Sequence, residues 1–270
     1  MNFLQKIIEI KKKEIKRDIK KYSIKRLEKK FFFQRKCLSL KRKIKNDQIG
    51  IISEFKRKSP SKNFHNENIR LENLCKEYKE AGSIGISILT DKNFFLGSSK
   101  DLSKLRKYIS LPLLRKDFII DEYQIIHSKA LGADAILLIA KILKKKKIKL
   151  LATLAKSLGL EVILELHSKT DISKISDEID ILGINNRDLS TLNVDIHNSN
   201  KFYSLIPKNF PIISESGIYN INNIFFLKKL GFNGFLIGEK FLSSFNPGES
   251  CKQFIKNVKK IKNLWIKIQE

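Results

Sequence analysis

The chain has 270 residues, of which 42% are hydrophobic and 30% are charged. This length fits one large α/β barrel or two small domains, and the composition allows a sizeable apolar core. Lysine and arginine outnumber aspartate and glutamate by 54 to 28, and the formal net charge of +26 would suit a protein that binds nucleic acid or a membrane surface. The lysines are spread along the whole chain among many Ile and Asn residues, which favours a compositional bias over a dedicated binding face. The one dense run, Lys144–Lys147, is interpreted as a solvated loop that enters a helix.

Membrane, secreted and metal-binding classes find no support in the sequence. No apolar run is long enough to span a bilayer, and the N-terminal residues lack the features of a secretory signal, so we expect a cytoplasmic protein. The three cysteines are far apart and form no CxxC motif, which argues against disulfides and zinc: Cys37, Cys75 and Cys251. The four histidines are scattered, which favours surface or packing roles: His65, His127, His167 and His197.

The N-terminal part of the chain differs from the rest. From Phe3 to Lys30 the apolar residues recur at roughly helical spacing among lysines, which predicts one or two helices. The apolar cluster Phe31-Phe32-Phe33 is expected to anchor this segment to the remainder of the protein. We therefore divide the chain into an N-terminal helical extension over residues 1–48 and a larger unit over residues 49–270, together forming one structural domain.

A strand–loop–helix pattern repeats from Ile49 onward. Eight apolar runs rich in Ile, Leu and Val are predicted strands: 49–55, 84–89, 111–115, 135–140, 162–166, 181–184, 211–214 and 234–237. Amphipathic stretches follow them and are predicted helices: 68–80, 101–108, 122–131, 148–158, 171–179, 195–205, 221–230 and a last one from Pro247 toward Ile268. Four glycines lie just past predicted helix ends, where a left-handed cap is favoured: Gly82, Gly132, Gly159 and Gly231.

Near-continuous apolar strands that alternate with helices indicate a parallel sheet covered on its outer face. Eight such units within this length favour a closed (β/α)8 barrel of the TIM type, with an extra N-terminal helical segment, over an open doubly wound sheet. The first strand is followed by no Gly-rich dinucleotide fingerprint, which further disfavours the open sheet.

Several predicted strands end in charged residues, which is typical of barrels that gather catalytic groups at one rim. Glu54 and Lys56 lie two apart and project to the same side, either as a catalytic pair or as a structural ion pair. Lys116 ends the third strand and can bind an anion, act as a general acid or form a Schiff base. Glu165 and Glu215 end the fifth and seventh strands, so three carboxylates and two lysines would share one cavity.

This set of side chains suits acid–base chemistry. Crowding raises the pKa values of carboxyl groups, and neighbouring lysines lower them again. A metal site is the alternative, but no aspartate or histidine pattern supports it. We therefore do not expect a metal at this site.

Further residues are candidates for binding a phosphorylated aromatic substrate. Small residues after the last two strands would let backbone N–H groups approach a phosphate, and they are Ser216, Gly217, Gly238 and Glu239. The segment Ser59-Pro60-Ser61 would close the same pocket or form an ordinary turn. Asn185 and Arg187 would orient the substrate or neighbouring carboxylates, and Phe94-Phe95 would form either an apolar wall for an aromatic ring or ordinary packing.

The strings that carry these residues, taken together and in order, resemble the indole-3-glycerol phosphate synthase family of tryptophan biosynthesis. The matching strings begin at Ile52 and end at Glu239: Ile52-Ser53-Glu54-Phe55-Lys56-Arg57-Lys58-Ser59-Pro60-Ser61, Leu89-Thr90-Asp91 with Phe94-Phe95, Leu114-Arg115-Lys116-Asp117-Phe118-Ile119-Ile120-Asp121, Gly183-Ile184-Asn185-Asn186-Arg187-Asp188-Leu189, Ser214-Glu215-Ser216-Gly217-Ile218 and Gly234-Phe235-Leu236-Ile237-Gly238-Glu239. The resemblance covers about Ile49 to Leu242 closely, and the N-terminal helices match in character.

The resemblance implies a reaction that needs no metal or organic cofactor: ring closure of 1-(2-carboxyphenylamino)-1-deoxyribulose 5-phosphate to indole-3-glycerol phosphate, with loss of carbon dioxide and water. It implies Lys116 as general acid, Glu165 as the group that moves protons in the dehydration, and Lys56, paired with Glu54, as the cation near the substrate carboxylate. The remaining implied roles are substrate positioning and phosphate binding. Positioning falls to Asn185, Glu215 and Ser216, and the phosphate grip to Ser216, Gly217, Gly238 and Glu239, while Ser59 and Arg187 match family positions.

Two departures and three alternatives accompany this interpretation. Asn63 stands where the family often has glycine, and Asn tolerates left-handed dihedral angles, so the loop is expected to keep its shape. Some relatives carry a fused second barrel, which we do not expect in this protein, and a monomer is expected. The alternatives are another phosphate-binding barrel enzyme of aromatic amino-acid biosynthesis, a barrel that no longer turns over, and a basic nucleic-acid-binding protein. The spread of lysines over every predicted helix argues against the last of these, so neither nucleic acid nor membrane is expected as a partner.

Overall fold

The computed structural model describes residues 3–47, 49–60, 62–64 and 69–269. Ser61, His65 and Asn68, which are part of the sequence-based interpretation, lie outside the described residues. Eight parallel strands form a closed barrel in which each strand pairs with the next and the last pairs with the first. They are β1 Gly50–Phe55, β2 Gly85–Leu89, β3 Leu113–Lys116, β4 Ala135–Ile139, β5 Glu161–Leu166, β6 Ile181–Asn185, β7 Ile212–Glu215 and β8 Gly234–Ile237. The predicted (β/α)8 class is confirmed.

Helices connect and surround the strands. The α-helices of the described part are α1 Phe3–Lys21, α2 Ile24–Glu28, α3 Leu40–Asn46, α4 Leu71–Ala81, α5 Lys92–Phe95, α6 Ser99–Arg106, α7 Glu122–Ala130, α8 Lys145–Ser157, α9 Asn198–Phe202, α10 Ile221–Leu230, α11 Glu239–Leu242 and α12 Pro247–Gln269. Shorter 3-10 helices cover Ala140–Ile142, Lys169–Lys174 and Tyr203–Leu205, and a small antiparallel hairpin pairs Lys58–Ser59 with Lys62–Asn63. Among the described residues, no helix combines the length and the apolar character that crossing a membrane requires.

The strands are buried along almost their entire length, as expected when a barrel is filled inside and covered outside. One apolar cluster lies between the strands and the surrounding helices, and a second fills the barrel interior. Leu40 and Ile44 of α3 belong to the interior cluster. A Cβ atom on Gly85, in the first position of β2, would lie 2.8 Å from Leu40 Cδ1, so α3 closes the barrel at the amino ends of the strands.

The strand register brings the predicted rim residues to one level. Lys116 pairs with Leu89, Glu165 pairs with Ile139, and Glu215 pairs with Asn185. Lys116, Asn185 and Glu215 are the last residues of their strands. Their side chains are therefore brought to the carboxyl end of the barrel, where the loops between strands and helices meet.

The predicted glycine caps are confirmed, since Gly82, Gly132, Gly159 and Gly231 all have positive φ. The expectation for Lys144–Lys147 is wrong in part, because α8 already begins at Lys145 and only Lys144 precedes the helix. Asn63, whose tolerance of left-handed dihedral angles was expected to let the loop keep its shape, has no positive φ, because it lies in the small hairpin and pairs with Lys58. The hairpin thus gives this loop its shape without a glycine.

Two predicted helices and one predicted anchor need correction. The helix expected over 171–179 is only a 3-10 helix, Lys169–Lys174, because the Asp171 carboxylate turns back and accepts hydrogen bonds from the backbone N–H groups of His167 and Ser168. The helix expected over 195–205 is reduced to α9 and the 3-10 turn after it. Within the cluster Phe31-Phe32-Phe33, Phe31 is 90% exposed and only Phe33 packs against a buried apolar group.

Candidate active site

A cavity opens at the carboxyl ends of the strands, and the empty space in it, including the part that is open to solvent, is about 1020 Å³. Its size suits a small-molecule ligand. Most of the residues predicted for the site line it, and they are Glu54, Lys56, Ser59, Lys116, Glu165, Asn185, Arg187, Ser216, Gly217, Gly238 and Glu239. Glu215 is fully buried and is joined to the cavity through Lys116.

Two lysines and two glutamates form a continuous ion-pair network at the rim. Lys56 Nζ lies 2.6 Å from Glu54 Oε1, and Lys116 Nζ lies 3.2 Å from Glu54 Oε2. Lys116 Nζ also lies 2.8 Å from Glu215 Oε2. The four side chains are at most 14% exposed, so their charges interact with little screening by solvent.

This network moves the pKa values in opposite directions. Burial would raise the pKa of Glu54, but the charges of Lys56 and Lys116 outweigh it and lower the pKa to about 2. Burial would lower the pKa of Lys116, but Glu215, Glu54 and Glu165 raise it well above its usual value. Burial raises the pKa of Glu215 to about 7, against the opposing charge of Lys116. Near neutral pH, Lys116 is therefore an ammonium and Glu215 is partly protonated.

Glu165 is held by two neighbours. His167 Nε2 lies 2.6 Å from Glu165 Oε1, and the Asn185 side chain is hydrogen-bonded to the same carboxylate. Asn185 Oδ1 accepts from the backbone N–H of Arg187 at 2.9 Å, which leaves the amide nitrogen of Asn185 free to donate to Glu165. Burial would raise the pKa of Glu165, but His167, Lys116 and Asn185 lower it, so the group is ionised and can accept a proton.

The loops after β7 and β8 form a cradle of small residues. Ser216 and Gly217 have φ of 68° and 76°, so two consecutive residues are left-handed. Such a conformation is strained for serine, and strained backbone of this kind clusters at ligand-binding sites. A Cβ atom on Gly238 would lie 2.6 Å from Glu54 Oε1, so only glycine fits here without displacing that carboxylate.

Arg187 and Ser59 frame the cavity. Arg187 Nη2 lies 3.1 Å from Glu239 Oε2, and Arg187 Nη1 donates to the backbone oxygen of Leu192 at 3.0 Å. Ser59 Oγ donates to the Lys62 backbone oxygen at 3.2 Å and accepts from the Lys62 N–H at 3.1 Å. Both side chains thus fix loops at the edge of the cavity while remaining among its lining residues.

The predicted aromatic wall is formed by three rings. Phe95 and Phe118 line the cavity, while Phe94 packs edge to face against Phe118 with ring centroids 6.2 Å apart. Phe95 lies at the same centroid distance, 6.2 Å, from Phe118. The apolar wall predicted from Phe94-Phe95 is therefore made by Phe95 and Phe118, and Phe94 packs against Phe118 outside the cavity lining.

Four contributors to the site were not singled out from the sequence. Asp117 and Asp91 follow β3 and β2 closely and pair with the buried Lys11 of α1, and His167 contacts Glu165. The spacing Glu165-x-His167 at a strand end, which places both side chains on one side, was a usable signal for the histidine. Lys11 could not be distinguished from the other lysines of its helix.

A closed parallel barrel with largely buried lysines, buried glutamates and a small-residue cradle at its carboxyl rim defines an enzyme of the (β/α)8 class. The chain belongs to the indole-3-glycerol phosphate synthase family, because the model of that family matches residues 4–257. Indole-3-glycerol phosphate synthase from Bacteroides thetaiotaomicron is 46% identical over 220 residues, which cover 82% of this chain and 85% of the relative. The Clostridium kluyveri protein of the same name is 42% identical over 215 residues, or 79% and 82% of the two chains.

Solved structures show the same fold at low sequence identity. The 3-hexulose-6-phosphate synthase of Salmonella typhimurium superposes with a TM-score of 0.63 at 12% identity, over 78% of this chain and 99% of the other. A chain of the tryptophan synthase complex from Pyrococcus furiosus superposes with a TM-score of 0.56 at 13% identity, over 78% and 97% of the two chains. The family membership predicted from the sequence is thus confirmed by the family match and the close relatives.

Proposed function

We propose that this protein closes the indole ring of 1-(2-carboxyphenylamino)-1-deoxyribulose 5-phosphate, and that the rim of the barrel carries the reaction. One observation supports the proposal above all others: Lys116, a buried ammonium, faces a cavity that it shares with the ionised carboxylate of Glu165. An acid and a base at one cavity are what ring closure followed by dehydration requires. The family membership of the chain supports the same reaction.

Lys116 is the acid of the first step. The ring carbon that bears the carboxylate attacks the ketone carbon, and the ketone oxygen takes a proton from Lys116 Nζ as it becomes a hydroxyl group. The carboxylate then leaves as carbon dioxide, and its bonding electrons restore the aromatic ring. Lys116 regains its proton from solvent, so one proton is consumed in each turnover. Glu54 and Glu215 orient the ammonium through the two ion pairs described above.

Glu165 serves the second half of the reaction. The hydroxyl group must leave as water, which requires a proton, and the adjacent carbon must lose a proton to complete the indole. Glu165 accepts the carbon-bound proton and returns it to solvent, and the leaving hydroxyl group takes one proton from solvent, so the dehydration neither consumes nor releases a proton. Its ionised state and its contacts with His167 and Asn185 suit this role.

The remaining side chains hold the substrate. Lys56, paired with Glu54, attracts the substrate carboxylate before it is lost, and Phe95 with Phe118 covers the aromatic ring. The cradle of Ser216, Gly217, Gly238 and Glu239 binds the phosphate through backbone N–H groups and the Ser216 hydroxyl. Binding at the phosphate end supplies energy that positions the reacting end.

We extend the proposal to the assembly and location of the protein. The extension 1–48 and the barrel 49–270 act as one structural domain, which is supported by Leu40 and Ile44 in the interior cluster and by the ion pairs of Lys11. Because one chain supplies every group of the site, we propose a monomer that needs no metal or organic cofactor. We also propose that the protein is cytoplasmic, as expected from its sequence. Gel filtration at several protein concentrations tests the monomer, and an assay with and without a chelator tests the metal.

The assay for this function uses the purified protein with the phosphorylated substrate and, separately, with its dephosphorylated counterpart. We expect the indole product, followed by its absorbance, and carbon dioxide to form in equal amounts. We expect a much higher KM for the substrate that lacks the phosphate. A folded protein that forms no indole would contradict the proposed function and would favour another phosphate-binding barrel enzyme. Equal kinetics with both substrates would contradict only the phosphate cradle.

A further inference from the structure

His167 occupies an unusual position for a residue outside the cavity lining. The residue directly follows β5, and its side chain is only 4% exposed. Its Nε2 atom lies 2.6 Å from Glu165 Oε1. The other ring nitrogen, Nδ1, is buried and has no hydrogen-bond partner among the described residues. Within the described part of the chain, the only hydrogen bond of this buried ring is thus directed at Glu165, the carboxylate that the reaction needs.

The backbone at His167 is fixed by the turn that replaces the predicted helix. Asp171 Oδ2 accepts hydrogen bonds from the N–H groups of His167 and Ser168 at 3.0 and 3.2 Å. Asp171 Oδ1 is paired with Lys174, whose Nζ also donates to the Ala140 backbone oxygen at 2.6 Å. The turn is therefore tied to the end of β4, and the imidazole has little freedom to swing away from Glu165.

The direction of the hydrogen bond follows from the charge on Glu165. An ionised carboxylate only accepts hydrogen bonds, so Nε2 of His167 must carry the proton. The charged groups that act on the ring are Glu165 and Asp171, which favour the imidazolium, and Lys141, which opposes it along with burial. Either protonation state of the ring presents the same N–H donor to Glu165.

We propose that His167 is a positioning residue for the reaction: it donates Nε2–H to Glu165 Oε1 and thereby fixes the orientation and the ionised state of the group that accepts the proton during dehydration. In the Ser-His-Asp triad a carboxylate orients the catalytic histidine. Here the roles are exchanged, and the histidine orients the catalytic carboxylate. Asn185 donates to the same carboxylate, so Glu165 is held from two sides. This inference rests on the role proposed above for Glu165.

Two substitutions separate the hydrogen bond from the bulk of the ring. His167→Leu keeps much of the bulk of the side chain but removes the hydrogen-bond donor. We expect kcat to fall about 10- to 100-fold with little change in KM. His167→Gln places an amide N–H near the position of Nε2 and cannot ionise, and we expect it to recover most of the lost rate. His197→Gln, at an exposed histidine that packs against Phe226, is the matched control and should leave both constants unchanged.

Single-turnover experiments locate the affected step. Since Glu165 acts after decarboxylation, His167→Leu should release carbon dioxide at nearly the normal rate while indole absorbance lags behind. A merely structural loss would slow both signals equally or lower the amount of active protein. The pH profile of kcat should also shift, because Glu165 loses a neighbour that lowers its pKa, so the acid limb of the profile should move to higher pH.

A double-substitution cycle distinguishes a failure of the role inferred for His167 from a failure of the role proposed for Glu165. If His167 acts through Glu165, adding His167→Leu to Glu165→Gln should lower the rate no further. Additive losses, a His167→Gln variant as slow as His167→Leu, or normal kinetics of His167→Leu would each overturn the inference. Normal activity of Glu165→Gln alone would instead overturn the proposed role of Glu165, so the two failures are distinguishable.

Discussion

Lys11 Nζ lies 2.8 Å from Asp117 Oδ1, and through this ion pair the N-terminal helix contacts the residue that directly follows Lys116. Lys11 also lies 2.7 Å from Asp91 Oδ2. Asp91 Oδ1 accepts from the backbone N–H of Phe94, and Asp117 accepts from Phe118, so the two aspartates hold the loops that carry the aromatic wall. The N-terminal segment therefore contacts both ends of the barrel: α3 lies at the amino ends of the strands, and Lys11 lies at their carboxyl ends.

Replacing Lys11 with methionine is expected to destabilise the protein. The Lys11 and Asp91 side chains are 4% and 0% exposed, and removing one partner leaves buried carboxylates without compensation. Such a change typically costs about 3–5 kcal/mol, although Arg115 still partners Asp117. Urea unfolding measures the loss. Lys12→Met is the control, because Lys12 is 58% exposed, and equal stability of the two variants would refute the buried ion pair.

The buried carboxyl group of Glu215 predicts a pH-dependent stability. Its pKa is about 7 in the folded protein and 4.5 for an unperturbed group. Between pH 4.5 and pH 7 the unfolded chain has lost the proton that the folded chain retains. The contribution of Glu215 to the free energy of unfolding is therefore present below pH 4.5 and is lost as the pH rises through 7. The loss is at most about 1.4 kcal/mol per pH unit. The free energy of unfolding of wild type minus that of Glu215→Gln should fall over this range. A flat or rising difference would contradict the raised pKa.

Gly183 of β6 leaves the space that Glu215 occupies. A Cβ atom on Gly183 would overlap Glu215 Oε1, so Gly183→Ala should displace the carboxylate and weaken its ion pair with Lys116. We expect a loss of about 1–3 kcal/mol in stability and a lower kcat. The double variant Gly183→Ala with Glu215→Ala should recover stability without recovering activity. An active, fully stable Gly183→Ala variant would show that the two residues are not in conflict.

The phosphate cradle predicts a specific loss of substrate affinity. Gly217 has φ of 76°, and an added Cβ would lie 2.7 Å from Val194 Cγ1, so Gly217→Ala should shift the loop after β7. KM for the phosphorylated substrate should rise about tenfold or more, and inhibition by inorganic phosphate should weaken in parallel. Gly82→Ala also strains a left-handed glycine, with φ of 100° at the end of α4, and should leave KM unchanged. A similar KM in both variants would argue against the cradle.

The sequence was most informative where a pattern repeats. Strand after strand ends in a polar or charged residue, and periodicity together with strand order places those residues at one rim, as the positions of Lys116 and Glu165 show. Sequence reasoning was least informative where a single side chain meets a distant element. Lys11 lies among similar lysines, and its burial depends on how α1 docks. The turn at Asp171 was predicted as helix because the apolar spacing fits, but the local hydrogen bonds of its side chain prevail.

The most direct test of the central claim is single-turnover formation of indole by Lys116→Met, with enzyme in excess over the carboxyphenylamino-deoxyribulose phosphate. We expect the rate to fall at least about 100-fold, because no other ammonium of the described site is held between Glu54 and Glu215 to supply the proton. Product binding, followed by fluorescence titration, should persist, since the phosphate cradle is intact. Indole formation by the variant at the rate of the wild type would contradict the assignment of Lys116 as the acid.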